Sequence, residues 1–234
     1  MFAFKEFTIH QERAAMKVCT DACVLGAYAD VGTGDTRVLD IGTGTGLLAL
    51  MAAQRNPAAR VDAVEIDDKA FGQASDNAEA SPFADRVRVW HDPIQHFSPP
   101  SGPYDRILTN PPFYTNHLRS PDAAVNRALH TDDLPFQELV TAVVRLLKPA
   151  GQWWVLLPPC EMSLIRTVAQ EAGLGVFRQL RLRHRADKPV FRLISGFSFG
   201  ATNPDEELLT IYEPDNRTYT PAFRTLLRDF YLIF

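Results

Sequence analysis

Residues 38–46 read "VLDIGTGTG". An apolar run delivers Gly42, Gly44 and Gly46 to the start of "GLLALMAAQR" (46–55), a segment rich in helix formers that stops before Asn56-Pro57. Glycines let the chain turn tightly and let a ligand approach with no Cβ in the way. Nicotinamide enzymes use G-x-G-x-x-G, whose last glycine permits close helix–strand packing. Here the spacing is G-x-G-x-G, and Leu47 holds the later position. Working outward, "TRVLDI" (36–41), "RVDAVEI" (60–66), "RVRVWHD" (86–92), "YDRILTN" (104–110) and "GQWWVLLP" (151–158) read as strands. "DDKAFGQASDNAEAS" (67–81) and "LPFQELVTAVVRLLK" (134–148), the latter closed by Pro149 and Gly151, read as helices between them. Strands alternating with helices predict an α/β doubly wound, mostly parallel sheet covered on both faces.

The last third has a different pattern. "LGVFRQLRLRHR" (174–185) and "VFRLISGFSFG" (190–200) read as two strands around a turn at "ADKP", an antiparallel pair at the sheet edge. They bring the expected strand count to seven. The tail "YTPAFRTLLRDFYLIF" (219–234) begins as an amphipathic helix and ends in an apolar run. "FSPPSGP" (97–103) and 114–133 read as loops, and the second has the length, about 20 residues, of a lid or binding loop. The 234 residues are 46% hydrophobic and 22% charged, which is ordinary globular composition. With 24 basic and 28 acidic residues the net charge is −4, which gives no general support for nucleic-acid binding but leaves room for a local basic face. No apolar run approaches the roughly 18 residues needed to span a bilayer. The N-terminus "MFAFKEFTIHQERAAMK" has no apolar signal core, so a cytoplasmic location is expected. Cys19, Cys23 and Cys160 suit a reducing compartment, and no further ligands at zinc spacing support a metal site.

Carboxylates at strand ends give the chemistry. Asp40 lies at the leading edge of the glycine loop, where a pyrophosphate would be repelled and a cationic ligand attracted. S-adenosylmethionine carries a sulfonium and an ammonium and no phosphate. Glu65 ends the next strand, placed to accept from both ribose hydroxyls. Asp92 ends the third, placed for the adenine amine, with Ile94 to pack on the ring. Gly42, Thr43, Gly44, Gly46, Ile66 and Asn110 complete the expected cofactor shell. Beyond the fourth strand stands "NPPF", Asn110-Pro111-Pro112-Phe113. Proline holds the residue before it extended. The carbonyl oxygens of Asn110 and Pro111 can accept both hydrogens of a target amine, by orientation and preorganised electrostatics. Phe113 can stack on a base extruded from its strand.

That order of glycine loop, acid, acid and N-P-P-F resembles the amino-methylating branch of the Rossmann-like, class I S-adenosylmethionine methyltransferases. A fuller resemblance runs through "AMKVCTDACVLGAYADV" (15–31), "VLDIGTGTGLLALMAAQR" (38–55), "VDAVEID" (61–67), "NPPF" and "DFYLIF" (229–234). On those segments the chain is similar to the bacterial tRNA1(Val) adenine-N6-methyltransferase family. The resemblance implies N6-methylation of an adenosine beside the anticodon of a valine tRNA, with S-adenosylmethionine as cofactor, tRNA as partner, and neither membrane nor obligatory protein partner. It places Lys17, Thr20 and Asp21 near the methionine end of the cofactor; otherwise Thr20 or Asp21 caps a helix. It also implies one methyltransferase domain over 1–234: a cofactor-covering segment (1–35), the cofactor-binding and catalytic core (36–160), and a sheet edge with a substrate-side segment (161–234). Phe113 stands where many members carry Tyr, and Arg127 and His130 match the family's basic loop only loosely.

Arg181, Arg183 and Arg185 share one face if 174–185 is a strand. They form either a phosphate-binding stripe or the charged face of a solvated edge strand. Rival functions are N5-methylation of a protein glutamine, for which the roughly 35 residues ahead of the first strand are too few to hold the extra N-terminal domain, DNA adenine N6-methylation, and a cofactor-binding RNA adaptor without turnover.

Overall fold

The computed structural model describes residues 1–111 and 135–234. The glycine-loop strand, β3 (Arg37–Ile41), is central: it pairs in parallel with β4 (Arg60–Glu65) on one side and β6 (Tyr104–Thr109) on the other. β5 (Val87–His91) lies outside β4, and β7 (Leu147–Leu157) outside β6, both parallel. Chain direction reverses once, at β9 (Val190–Phe199), which is antiparallel to both β7 and β8 (Leu174–Arg183). A strand not anticipated, β10 (Asp205–Thr210), then pairs in parallel with β8. Among the described residues the order β10-β8-β9-β7-β6-β3-β4-β5 has eight strands, not seven. The antiparallel strand lies inside the sheet, and the arginine-bearing strand is not its edge. A two-stranded antiparallel ribbon, β1 (Phe2–Ala3) and β2 (Thr8–Ile9), stands apart.

Alternation along the strands divides the core in two. Val38, Val61, Ala63, Trp154 and Leu156 join one cluster, with α1 (Thr20–Tyr28) and α2 (Leu47–Arg55). Leu39, Ile41, Val64, Trp153 and Val155 join the other, with α4 (Phe136–Leu146) and α5 (Pro159–Glu171). Trp153 and Trp154 are both fully buried, on opposite faces, as a two-residue period requires. α3 (Asp68–Glu79) starts at Asp67, whose carboxylate accepts the Lys69 and Ala70 N–H groups. α6 (Pro221–Leu227) starts at Thr220, whose hydroxyl accepts the Phe223 N–H.

Pro149 and Gly151 do not close α4. The helix ends at Leu146, and β7 begins at once. Tyr104 pairs with Leu147 and Arg106 with Gln152, so Lys148–Gly151 is accommodated in a register shift, a place where a strand tolerates proline. α5 was also not anticipated, although Pro159 stands in its first turn.

Candidate active site

In open parallel sheets ligands sit beyond the carboxyl ends of the strands where strand order reverses. Here that point lies between β3 and β6, and one cavity opens there. Gly42, Gly44, Glu65, Asp92, Asn110 and Pro111 all line it, as do Lys17, Thr43, Ile66 and Ile94. Strands β3, β4 and β6 thus bring the expected loop, acid and amide to one wall.

Gly42 and Gly44 both take left-handed backbone, φ 68° and 59°, and a Cβ on either would meet open space. Their bare edges therefore face the cavity. Gly46 differs: it caps α2 with φ 84°, and its Cβ would meet Ala74 of α3, so it serves helix packing. The Gly42 and Thr43 N–H groups both donate to the Val64 carbonyl, tying the loop to β4.

Asp40 does not line the cavity. It is fully buried behind the loop, where its Oδ2 accepts the Thr43 hydroxyl at 2.6 Å and the Ala49 N–H at 3.2 Å. Its Oδ1 is buried with no partner among the described residues, and burial pushes its carboxyl up to about 7 against those two bonds. Glu65 occupies the cavity wall. Oε2 accepts the Gly44 N–H at 2.8 Å, and Oε1 accepts the Ile66 and Asp67 N–H groups at 2.9 and 3.0 Å. A carboxylate offers about four acceptor sites, so one on Oε2 remains for a ligand donor. Burial raises the Glu65 carboxyl, and these three backbone bonds oppose the rise. Asp92 is half-buried, and its N–H donates to the Glu65 carbonyl at 3.2 Å.

Asn110 follows β6. The strand end is fixed by the fully buried Thr109, whose hydroxyl accepts the Trp153 indole N–H at 3.1 Å. The Asn110 Oδ1 is buried and has no partner among the described residues. Pro112, Phe113, Arg127, His130 and the loop 114–133 lie outside the described residues.

The N-terminal segment forms the opposite wall through Ala14, Met16, Val18 and Cys19, which the sequence reading missed. Lys17 is turned back on its own segment, its Nζ donating to the Gln11 carbonyl and, at 3.0 Å, to that of Ala14. Thr20 and Asp21 are not among the lining residues, and neither caps α1: the cap is Cys19, without a side-chain bond. Asp21 instead pairs with Arg192 at 2.9 Å. Burial pushes the Cys19 thiol up to about 12, as expected of an inert side chain.

The arginine stripe is largely occupied. Arg178 pairs with Glu207 at 2.7 Å and Arg181 with Glu206 at 3.9 Å, both acids on β10. Arg183 donates to Thr210 Oγ1 at 2.8 Å. Arg185 lies past the end of β8 and pairs with Asp187 at 2.9 Å. The three arginines therefore form neither a free basic face nor a solvated edge: Glu206 and Thr210 of β10 engage Arg181 and Arg183, and Asp187 engages Arg185. No group of three or more His, Cys, Asp or Glu side chains among the described residues can hold a metal ion, and no described helix is long and apolar enough to cross a membrane.

Comparison with known proteins places this geometry. The family described as the methyltransferase small domain matches residues 29–159. A curated tRNA1(Val) (adenine(37)-N6)-methyltransferase of Dyadobacter fermentans is 50% identical over 100% of this chain and 98% of its own. One of Tolumonas auensis is 41% identical, covering 99% and 96%. Among solved structures, a predicted O-methyltransferase from Agrobacterium tumefaciens superposes with TM-score 0.67 at 17% identity, covering 90% of this chain and 96% of its own. A ribosomal protein L11 methylase from Lactobacillus delbrueckii gives 0.53 at 17%, covering 76% and 77%. At that identity the two structures establish the fold alone.

Proposed function

The chain belongs to the methyltransferase small-domain family, among the tRNA1(Val) (adenine(37)-N6)-methyltransferases, and we propose that it methylates the exocyclic N6 of an adenosine in tRNA. It is an S-adenosylmethionine-dependent methyltransferase. The names of its relatives support adenosine 37 of a valine tRNA as the target, and a tRNA substrate supports the expected cytoplasmic location.

The cavity suits S-adenosylmethionine. Open space in front of Gly42 and Gly44 admits a ligand to the loop, Glu65 keeps an acceptor site for a ribose hydroxyl, and Ile94 supplies apolar surface beside Asp92. Residues 14–19 cover the other side, consistent with a cofactor-covering segment over 1–35 ahead of the core. Asp40 acts from behind the loop, holding Thr43 and the first turn of α2. When bound, the cofactor supplies an electrophilic methyl group on a sulfonium.

What the chain adds is control of the nucleophile. The amine of adenine is a weak nucleophile because its lone pair is delocalised into the ring. The Asn110 side-chain oxygen, with the Pro111 carbonyl, accepts its hydrogens and orients that lone pair. The observation that carries this reading is the buried, unpartnered Asn110 Oδ1 in the wall that also holds Gly42, Gly44 and Glu65. Leaving such an acceptor unpaired costs about 1–3 kcal/mol, an expense that a bound amine removes.

The test is transfer from methyl-labelled S-adenosylmethionine to an unmodified valine tRNA transcript, followed by nucleoside digestion. Label is expected in N6-methyladenosine. Unlabelled tRNA beside a labelled protein glutamine or labelled DNA adenine would overturn the assignment.

A further inference from the structure

We propose that the tip of the β8–β9 hairpin is a second RNA contact: an unpaired nucleobase stacks on the open face of His184, and Lys188 takes a neighbouring phosphate. The inference rests on the RNA-methylating reading and extends it to a place that the cavity does not reach.

Topology puts the tip on the right side of the sheet. β8 is antiparallel to β9 and β9 to β7, and β7 is parallel to β6. The carboxyl end of β8 therefore faces the same way as Asn110. Register gives the height. Thr109 lies level with Val155, Val155 with Ser195, and Ser195 with Gln179. His184 comes five residues after Gln179 (184 − 179), so the tip stands roughly 17 Å beyond that level at about 3.3 Å per residue. Sideways it is three strands from β6, roughly 14 Å at about 4.8 Å each. A nucleic acid presenting one extruded adenosine to Asn110 must place flanking nucleotides somewhere above this rim, and the hairpin projects into that space.

The tip is shaped for a base. The rings of His184 and Phe191 stack at 4.0 Å with an interplanar angle of 8°. Phe191 is half-buried and also touched by Arg192, whose guanidinium carbon lies 5.4 Å from the ring centroid. Arg192 in turn pairs with Asp21, so the platform is anchored at the start of α1, beside the cofactor-side wall. His184 is exposed and extends the stack outward. A concavity there is lined by His184, Arg185, Lys188, Pro189, Phe191 and Asn216. Among the described residues Arg185 is engaged by Asp187, and Asp215 by Thr218, whereas the Lys188 ammonium is in no ion pair within 4.0 Å and acts on Asp187 only at longer range. A flat aromatic face next to a cation outside any close ion pair is what single-stranded RNA offers partners for, since its bases stack and its phosphates seek charge.

The test uses the full chain with an unmodified valine tRNA transcript. His184→Ala is expected to raise both the RNA Kd and the tRNA KM about tenfold, the lower part of the range for a lost base–aromatic stack. Affinity for S-adenosylmethionine and kcat stay as in the parent. His184→Phe, which keeps a flat ring, is expected to restore binding. Lys188→Ala is expected to reduce the slope of log K against log salt by about one, while His184→Ala leaves that slope unchanged. RNA affinities within twofold of the parent for both alanine variants would overturn the site. Competition by polyglutamate as strong as that by single-stranded RNA would overturn it in favour of an acidic protein partner. A parent protein that binds S-adenosylmethionine but never methylates tRNA marks failure of the functional reading itself, a result the variants are not needed to recognise.

Discussion

The Glu65 carboxylate accepts the Gly44 N–H at 2.8 Å, joining the end of β4 to the glycine loop that follows β3. The same side chain holds its own turn through Ile66 and Asp67. One carboxylate thus sets the loop shape and presents an acceptor to the cavity. Glu65→Ala frees three backbone donors and removes the acceptor. Hydrogen bonds to a charged group contribute about 1.5–3 kcal/mol. Calorimetry is expected to show S-adenosylmethionine binding weakened at least tenfold, with a lower Tm for the free protein. Unaltered affinity would place the ribose elsewhere.

Asp40 gives a pH signature. In the folded chain burial lifts its carboxyl to about 7, from the ordinary 3.8. Between those values the folded state binds more protons than the unfolded state, so this group lowers stability as pH rises from about 4 to about 7 and has no further effect above that. Asp40→Asn lacks the titration. Parent and variant are to be compared by urea unfolding without cofactor at pH 5 and pH 7.5. The parent is expected to lose stability relative to the variant at the higher pH, by about 2–3 kcal/mol, because about two pH units of that fall lie between the two conditions. A difference independent of pH would show that Asp40 stays ionised in its buried site.

Asn110 separates chemistry from binding. The residue lines the cavity, its side-chain oxygen buried and unpartnered among the described residues, while Gly42, Gly44 and Glu65 hold the loop without its help. Removing one preorganised group that acts on the reacting centre lowers kcat by about 10²–10³. Asn110→Ala is expected to lose kcat on that scale in single-turnover methylation, while S-adenosylmethionine binding changes only a few-fold. Parallel loss of both would make Asn110 a cofactor ligand and not a positioner of the amine.

The glycine loop, Glu65 and Asn110 were legible because backbone rules fix them: glycine at left-handed φ, an acid at a strand end, an amide ahead of proline. β10 was not, because "DEELLT" opens with three acids that disfavour a strand and buries only Leu209. It forms because β8 offers a paired edge with arginines on it, so both strands have to be in place before either makes sense. The same long-range pairing removed Arg181 and Arg183 from consideration as a free basic stripe. Arg181→Ala and Arg183→Ala are accordingly expected to leave the salt slope of tRNA binding unchanged, in contrast to Lys188→Ala; a slope reduced by about one would show that the arginines exchange β10 for phosphate.

Asn77 carries the last prediction. It is 1% exposed on α3, and its amide makes three bonds at once. Oδ1 accepts the His10 N–H at 2.9 Å, and Nδ2 donates to the carbonyls of His10 and Thr45 at 2.7 and 2.8 Å. His10 enters the segment that lines the cavity from Ala14 onward, and Thr45 belongs to the glycine loop. One amide therefore holds both sides of the cofactor cavity to α3, helped by Gln73, whose Oε1 accepts the Arg13 N–H at 3.2 Å. Asn77→Ala leaves two carbonyls and an N–H without protein partners, and the N-terminal segment is where the loss is most easily relieved, by lifting away. The expected result is faster release of S-adenosylmethionine in stopped-flow, by about tenfold, with earlier proteolytic cleavage around residues 10–18. Loss of Tm with unchanged cofactor release would reduce Asn77 to a packing residue. Asn77→Asp separates the two roles further: it keeps the acceptor for His10 but cannot donate to Thr45, so release should quicken even if the segment stays protected.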